Sequence, residues 1–417
     1  MAIESKLVST YPPGRVTKIG SETDPSEAGL TTSQINNIWQ SVEACYESGI
    51  HPAITLCIRR NGKIVLNRAI GHTHGNEPGV ERSGQLRQAQ PDSLFGLYSA
   101  SKAIAAIVVH HMEENGLVHL EDPLHHYMPE FASKRKRYIT VRHVLLHQAG
   151  LPKIPKDALD LDLLHEPGTI RRVMAEAKMQ WSAGRRTGYH AVTGGFIIGE
   201  LVQAATGMSI RDYLAKFFLD PLEFDTFNFG VPDDRVADVA PNVYTGYPLP
   251  EIGEKVAERV LGVTYREAIS MSNDPRFLTA IIPAANTIGT AEETSRFYEL
   301  LLRGGELNGV RIMEPRTIQR AIAEQTHTTL DSMLGFPMRY SLGFMLGRSR
   351  LSLYGGSTPK AFGHLGMINI AGYADPERDI SVGLLNNGKP GITWGMVKFY
   401  NILQAIAHNI PKLTQHR

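Results

Sequence analysis

Apolar positions along the chain follow two periods. Between Leu30 and Gly49, Ile35, Ile38, Trp39 and Val42 recur at helical spacing, and Thr31, Thr32 or Ser33 stands where an N-cap is needed. Gly49 closes the segment, so a helix is predicted there. The period then changes. AITLCIRR (53–60) and KIVLNRAI (63–70) are β-branched runs separated by Asn61-Gly62. Asn-Gly accepts the left-handed dihedrals of a type I′ turn, whose twist matches that of the flanking strands, so a two-residue hairpin is predicted. From about 93 to 330 helical patterns dominate: 101–116 ended by Gly116, 141–150 ended by Gly150, then 193–207 and 290–305. Residues 230–285 carry many Pro and Gly and little periodicity. That stretch is too long for an idle loop and is expected to wrap a site or carry an insertion. Strand patterns return at 340–347, 362–375 and 379–387, with Asp375-Pro376-Glu377-Arg378 as a turn, and 393–409 reads as a closing helix.

Strands at both chain ends around a helical middle predict an α+β plan. An antiparallel sheet built from both ends is flanked by helices, with a mainly helical domain inserted. The expected divisions are an extended arm over 1–29, a sheet domain from 30–92 and 335–417, and a helical domain over 93–334, with a site at the junction. With 42% hydrophobic and 20% charged residues, the 417-residue chain has ordinary globular composition. Lys plus Arg (43) and Asp plus Glu (42) leave a net charge of +1, so no bulk field draws it to nucleic acid or anionic membrane. The basic run Lys134-Arg135-Lys136-Arg137 is read as a solvated loop, and so are Arg185 and Arg186. No apolar run approaches the ~18–20 residues of a membrane helix. The N-terminal MAIESKLVSTYPPGR lacks the apolar core of a secretory signal, so a cytoplasmic address is expected. Cys45 and Cys57 allow at most one bridge and are read as two buried thiols, Cys57 in the sheet core.

Three segments carry candidate chemistry. In Ser99-Ala100-Ser101-Lys102, a serine sits where a helix begins and a lysine follows one turn later on the same face. A helix N-terminus disfavours an ammonium, and the apolar AIAAIVV run desolvates it, so Lys102 can lose its proton and act as base for Ser99. The competing reading is a helix cap followed by a surface lysine. Tyr189-His190-Ala191 lies in a Gly- and Arg-rich loop before a helix, where a tyrosine can relay a proton or simply pack. His364-Leu365-Gly366 lies on a strand whose small residues permit close backbone approach and an N–H aimed at an oxyanion. Its alternative is a half-buried sheet histidine.

In this order and spacing the three segments resemble the serine β-lactamase and penicillin-binding-protein-like hydrolases, specifically the class C-like esterase branch that includes family VIII carboxylesterases. Ser99 to Lys102 matches that family's Ser-x-x-Lys. Tyr189-His190-Ala191 falls where the family has Tyr-x-Asn, and His364-Leu365-Gly366 falls at Lys-Thr-Gly. The resemblance runs from about residue 50 to the C-terminus. It implies the β-lactamase-like fold and an acyl-enzyme on Ser99, with Lys102 and Tyr189 sharing the base work. It implies an oxyanion hole from the N–H groups of Ser99 and Met367, and substrate contacts at His364 and Gly366. Two departures matter: Ala191 replaces the amide, and His364 replaces the cation that helps bind a β-lactam carboxylate. The expected activity is therefore a serine carboxylesterase acting on a small-molecule ester, with an acyltransferase as alternative. A β-lactamase or D-amino-acid peptidase follows, then a catalytically silent binding protein.

No phosphate loop, dinucleotide fingerprint or G-x-S-x-G elbow is present. His72-Thr73-His74 lacks the Asp-His that would complete a metal motif, and His143 with His147 lacks a third ligand. Neither a cofactor nor a metal is expected.

Overall fold

The computed structural model describes residues 6–78, 86–133, 135–155, 160–166, 168–367, 369–390 and 394–413. Residues 1–5 of the expected arm, Lys134, Ile368 and Thr393 lie outside the described residues. The principal sheet uses β1 (Thr17–Ile19), β2 (Ala53–Arg60), β3 (Lys63–His74), β4 (Thr326–Leu330), β5 (Pro337–Tyr340), β6 (Met345–Leu346), β7 (Phe362–Gly366), β8 (Ile370–Asp375) and β9 (Ile380–Asn386). Their order is β1-β3-β2-β9-β8-β7-β6-β5-β4, with Arg87–Gln88 paired to β3 off this path. Every pairing in it is antiparallel. The expected antiparallel sheet from both chain ends is therefore present.

The hairpin forms because Asn61 (φ 51°) and Gly62 (φ 77°) both take the left-handed conformation of a type I′ turn. Helices α1 (Thr32–Tyr46) and α7 (Trp394–Asn409) cover one sheet face, where Ile35, Ile38 and Val42 meet Ile54, Leu56 and Ile58. Thr31 closes a capping box with Gln34 at the head of α1. On the other face lies α6 (Ala291–Leu302), its Phe297 and Tyr298 in one cluster with Ala53 and Cys57. With both faces covered, β2 reads as a continuous apolar run rather than an alternating one. Glycines let α6 lie close: a side chain at 383 would meet the Ala291 carbonyl oxygen at 2.2 Å. Both cysteines are free and buried. Burial pushes the Cys57 thiol up to about 12.

Several local expectations change. The N-terminal arm is not merely extended: β1 pairs with β3, and a short helix and one 3-10 turn flank it. The helix expected over 141–150 stops at Leu145, and His147 is left-handed (φ 57°). Residues 230–285 are more regular than their composition suggests, holding α4 (Glu251–Leu261), α5 (Tyr265–Met271) and a turn of helix at Pro275–Thr279. Left-handed Gly262 ends α4, and Thr264 with Glu267 caps α5. The strand expected at 340–347 is interrupted by Gly343 (φ 107°), where a side chain would meet Ala106 Cβ at 2.1 Å. The run at 362–375 divides into β7 and β8, and Met367 at the bend has φ 40°. Lys136 is buried rather than solvated; it bonds the Ala175 carbonyl and faces the Phe131 ring. Arg185 and Arg186 are exposed, as expected of loop charges. Among the described residues no helix is long and apolar enough to cross a membrane.

Candidate active site

Ser99 lies in a 3-10 turn (Tyr98–Ala100) that runs directly into α2 (Ser101–Glu114). One helical turn separates Ser99 from Lys102, and the Lys102 Nζ stands 2.9 Å from Ser99 Oγ. The same nitrogen donates to the Ala284 carbonyl at 3.1 Å. Among the described residues no carboxylate pairs with the buried Lys102, and burial holds its amine well below the usual lysine range.

Tyr189 arrives from the loop before α3 (Thr193–Thr206). Its hydroxyl lies near Ser99, while burial raises the phenol above its ordinary range and keeps it protonated. Lys102 Nζ sits 4.8 Å from the Tyr189 ring centroid. Thus Ser99, Lys102 and Tyr189, drawn from two distant segments, meet at one point.

The β7 strand closes the site from the sheet side. The His364 ring lies 6.1 Å from the Tyr189 ring. Its Nδ1 is 2.7 Å from the Leu365 carbonyl, which can only accept, so Nδ1 carries the proton. Among the described residues its buried Nε2 has no hydrogen-bond partner. Burial, then Lys102, holds this imidazole near 3, and burial first of all holds His190 near 4. Burial likewise depresses His147, which stacks on His190 at 5.9 Å. These rings are neutral at pH 7 and supply no cation. A side chain at Gly366 would strike the Leu97 carbonyl oxygen at 2.1 Å, so β7 lies directly against the turn that holds Ser99. Ser99, Ala191 and Met367 line one cavity of about 110 Å³.

Sequence reasoning missed Asp331, which holds Tyr189 in place. Its Oδ1 accepts from the backbone N–H groups of Tyr189 (3.0 Å), Met333 (2.9 Å) and Leu334 (3.0 Å). Its Oδ2 accepts from the Tyr340 hydroxyl at 2.9 Å. Only the Asp-Ser-Met-Leu-Gly turn around it is visible in the sequence; the bond to Tyr189 is long-range. Asp331→Ala leaves four donors unpaired, three of them buried. It is expected to lower unfolding free energy by about 3 kcal/mol or more in urea titrations and to lower kcat by displacing Tyr189.

The arrangement suits acyl transfer. A profile of the beta-lactamase family matches residues 40–407. The chain belongs to the beta-lactamase family. It is 29% identical over 310 residues to "Esterase/beta-lactamase LipL" of Mycobacterium tuberculosis, covering 71% of this chain and 70% of LipL. It also matches "Protein flp" of Staphylococcus aureus at 18% identity, spanning 55% of that longer protein. Among solved structures, a family VIII carboxylesterase superposes with TM-score 0.76 at 25% identity, covering 91% of this chain and 98% of the other. "EstCE1, a hydrolase with promiscuous acyltransferase activity" superposes with TM-score 0.66 at 18% identity, covering 90% and 98%. The chain is thus a beta-lactamase-fold hydrolase with esterase-like relatives.

Proposed function

We propose that this protein is a serine carboxylesterase that works through an acyl-enzyme on Ser99. The observation that carries this reading is the buried Lys102, its Nζ 2.9 Å from Ser99 Oγ and its amine biased toward the neutral form. A neutral amine can accept the hydroxyl proton as Ser99 Oγ bonds to the ester carbonyl carbon. Tyr189, kept protonated by burial, serves better as donor than as base. As the carbonyl–alkoxide bond breaks, Tyr189 hands its proton to the departing alcohol oxygen and is recharged from Lys102. Water then repeats the sequence on the acyl-enzyme and releases the acid. The N–H groups of Ser99 and Met367 are assigned to the oxyanion.

The experiment is intact-mass spectrometry after exposure to a fluorophosphonate. A single adduct mapped by peptide analysis to Ser99 supports the reading; a folded protein that takes up none, and turns over no p-nitrophenyl ester, overturns it. Substrate charge offers a separate check. With Ala191 and a neutral His364 at the positions of the family's amide and cation, neither position offers a β-lactam carboxylate a counter-charge. Nitrocefin is expected to be hydrolysed with kcat/KM roughly 100-fold or more below that for p-nitrophenyl butyrate. Acyl transfer is the second reading, favoured by the similarity to EstCE1 and by a cavity lined almost wholly by apolar side chains. Product analysis with an added alcohol separates the two, since only transfer yields a new ester.

A further inference from the structure

The residue before the nucleophile is conformationally costly. Tyr98 has φ 47°, a region that glycine adopts freely and a bulky side chain does not. Yet its ring is gripped from several sides. Ser272 Oγ donates to the Ile269 carbonyl, so the Tyr98 hydroxyl donates to Ser272 Oγ, at 2.7 Å. Asn242 Nδ2 reaches the same oxygen at 3.3 Å. Across the ring, Lys389 Nζ lies 5.2 Å from the centroid, itself buried and donating to the Asn386 carbonyl at 2.8 Å. A loop, the end of α5 and the chain beyond β9 therefore converge on one aromatic ring. Strain held in place by so many partners, one residue from Ser99, points to a use for the side chain.

That use is visible in the cavity beside Ser99. Tyr98 forms part of its wall, together with Leu261, Met271, Phe277 and Met367. Among the described residues, every lining side chain other than Tyr98 and Ser99 is apolar, and none is charged. We propose that Tyr98 is a specificity-determining residue: its clamped ring is the wall that limits how long an uncharged, apolar acyl group can lie against Ser99. This rests on reading Ser99 as the residue that takes the acyl group.

The test compares wild type, Tyr98→Gly and Tyr98→Phe on p-nitrophenyl acetate, butyrate, octanoate and dodecanoate. A parallel series uses acetates of alcohols of increasing length. Each preparation is first titrated with a fluorophosphonate, so that rates refer to reactive Ser99. Glycine relieves the left-handed cost and removes the wall, so the octanoate-to-acetate ratio of kcat/KM is expected to rise at least about tenfold. Phenylalanine retains the ring but loses its bond to Ser272, so it is expected to shift the ratio much less than glycine does. A merely structural role would lower all esters together and leave the ratio unmoved. An unchanged acyl ratio in Tyr98→Gly, or a shift confined to the alcohol series, overturns the proposal. If Tyr98→Gly does not fold, Ser272→Ala unhooks the phenol and leaves the ring. A smaller shift toward longer acyl groups then supports the proposal, and no shift overturns it. Absence of any labelling on folded wild type would instead remove the esterase reading, so the two failures are distinguishable.

Discussion

Ser99→Ala is expected to abolish ester turnover. Its kcat/KM on p-nitrophenyl butyrate should fall by about 10³-fold or more, to the level that binding and oxyanion stabilisation alone provide. The substitution removes one half-buried oxygen from a 3-10 turn, so no core packing is lost and stability should remain close to wild type. Lys102 then loses one bond to Ser99 Oγ but keeps the Ala284 carbonyl. Thermal unfolding and activity measured on the same sample therefore separate a chemical defect from a folding one. A folded Ser99→Ala enzyme with undiminished turnover would falsify the assignment of the nucleophile.

The second large effect concerns Lys102. Lys102→Ala should lower kcat/KM by roughly 10²–10⁴-fold, the range for removal of a positioned base. Lys102→Arg should fare little better although it keeps the charge, because a guanidinium does not give up its proton near neutral pH. In the wild type, kcat/KM should rise with pH as the Lys102 ammonium deprotonates, along a limb well below the ordinary lysine range. The same shift has a stability consequence. The folded protein releases this proton at pH values where the unfolded chain still binds it. Stability from this group therefore rises with pH between the folded and unfolded values, and is lost as pH falls through the folded one. Lys102→Met lacks the group. Its unfolding free energy relative to wild type should be most favourable in acid and decline as pH rises. A pH-independent difference would contradict the burial of an uncompensated amine.

What could be read from the chain was what depends on near neighbours. Asn61-Gly62 specifies its turn through the dihedrals of two residues, and the hairpin follows. Ser99 and Lys102 are one helical turn apart, so their meeting needs only local helix geometry. The three-segment order, which carried the family resemblance, is also a linear property. Element ends fared worse: 141–150 lost half its helix, and 362–375 became two strands around Met367. In both places packing against distant residues chose the backbone conformation. Residues 230–285 looked irregular because short capped helices rely on one or two turns each and show little period.

The amino-acid sequence by itself thus determined the sheet hairpin, the helix that presents Ser99 and Lys102 together, and the order of three chemically capable segments. Only the tertiary structure decided how those segments meet. It anchored the Tyr189 backbone on the Asp331 carboxylate beside Ser99, and pressed Gly366 against Leu97. It buried Lys102 and left His364 neutral. It also clamped Tyr98 between Ser272 and Lys389 at the cavity wall. The reason is physical: desolvation, orphaned lone pairs and cavity shape arise from groups far apart in the chain, and no local pattern records them.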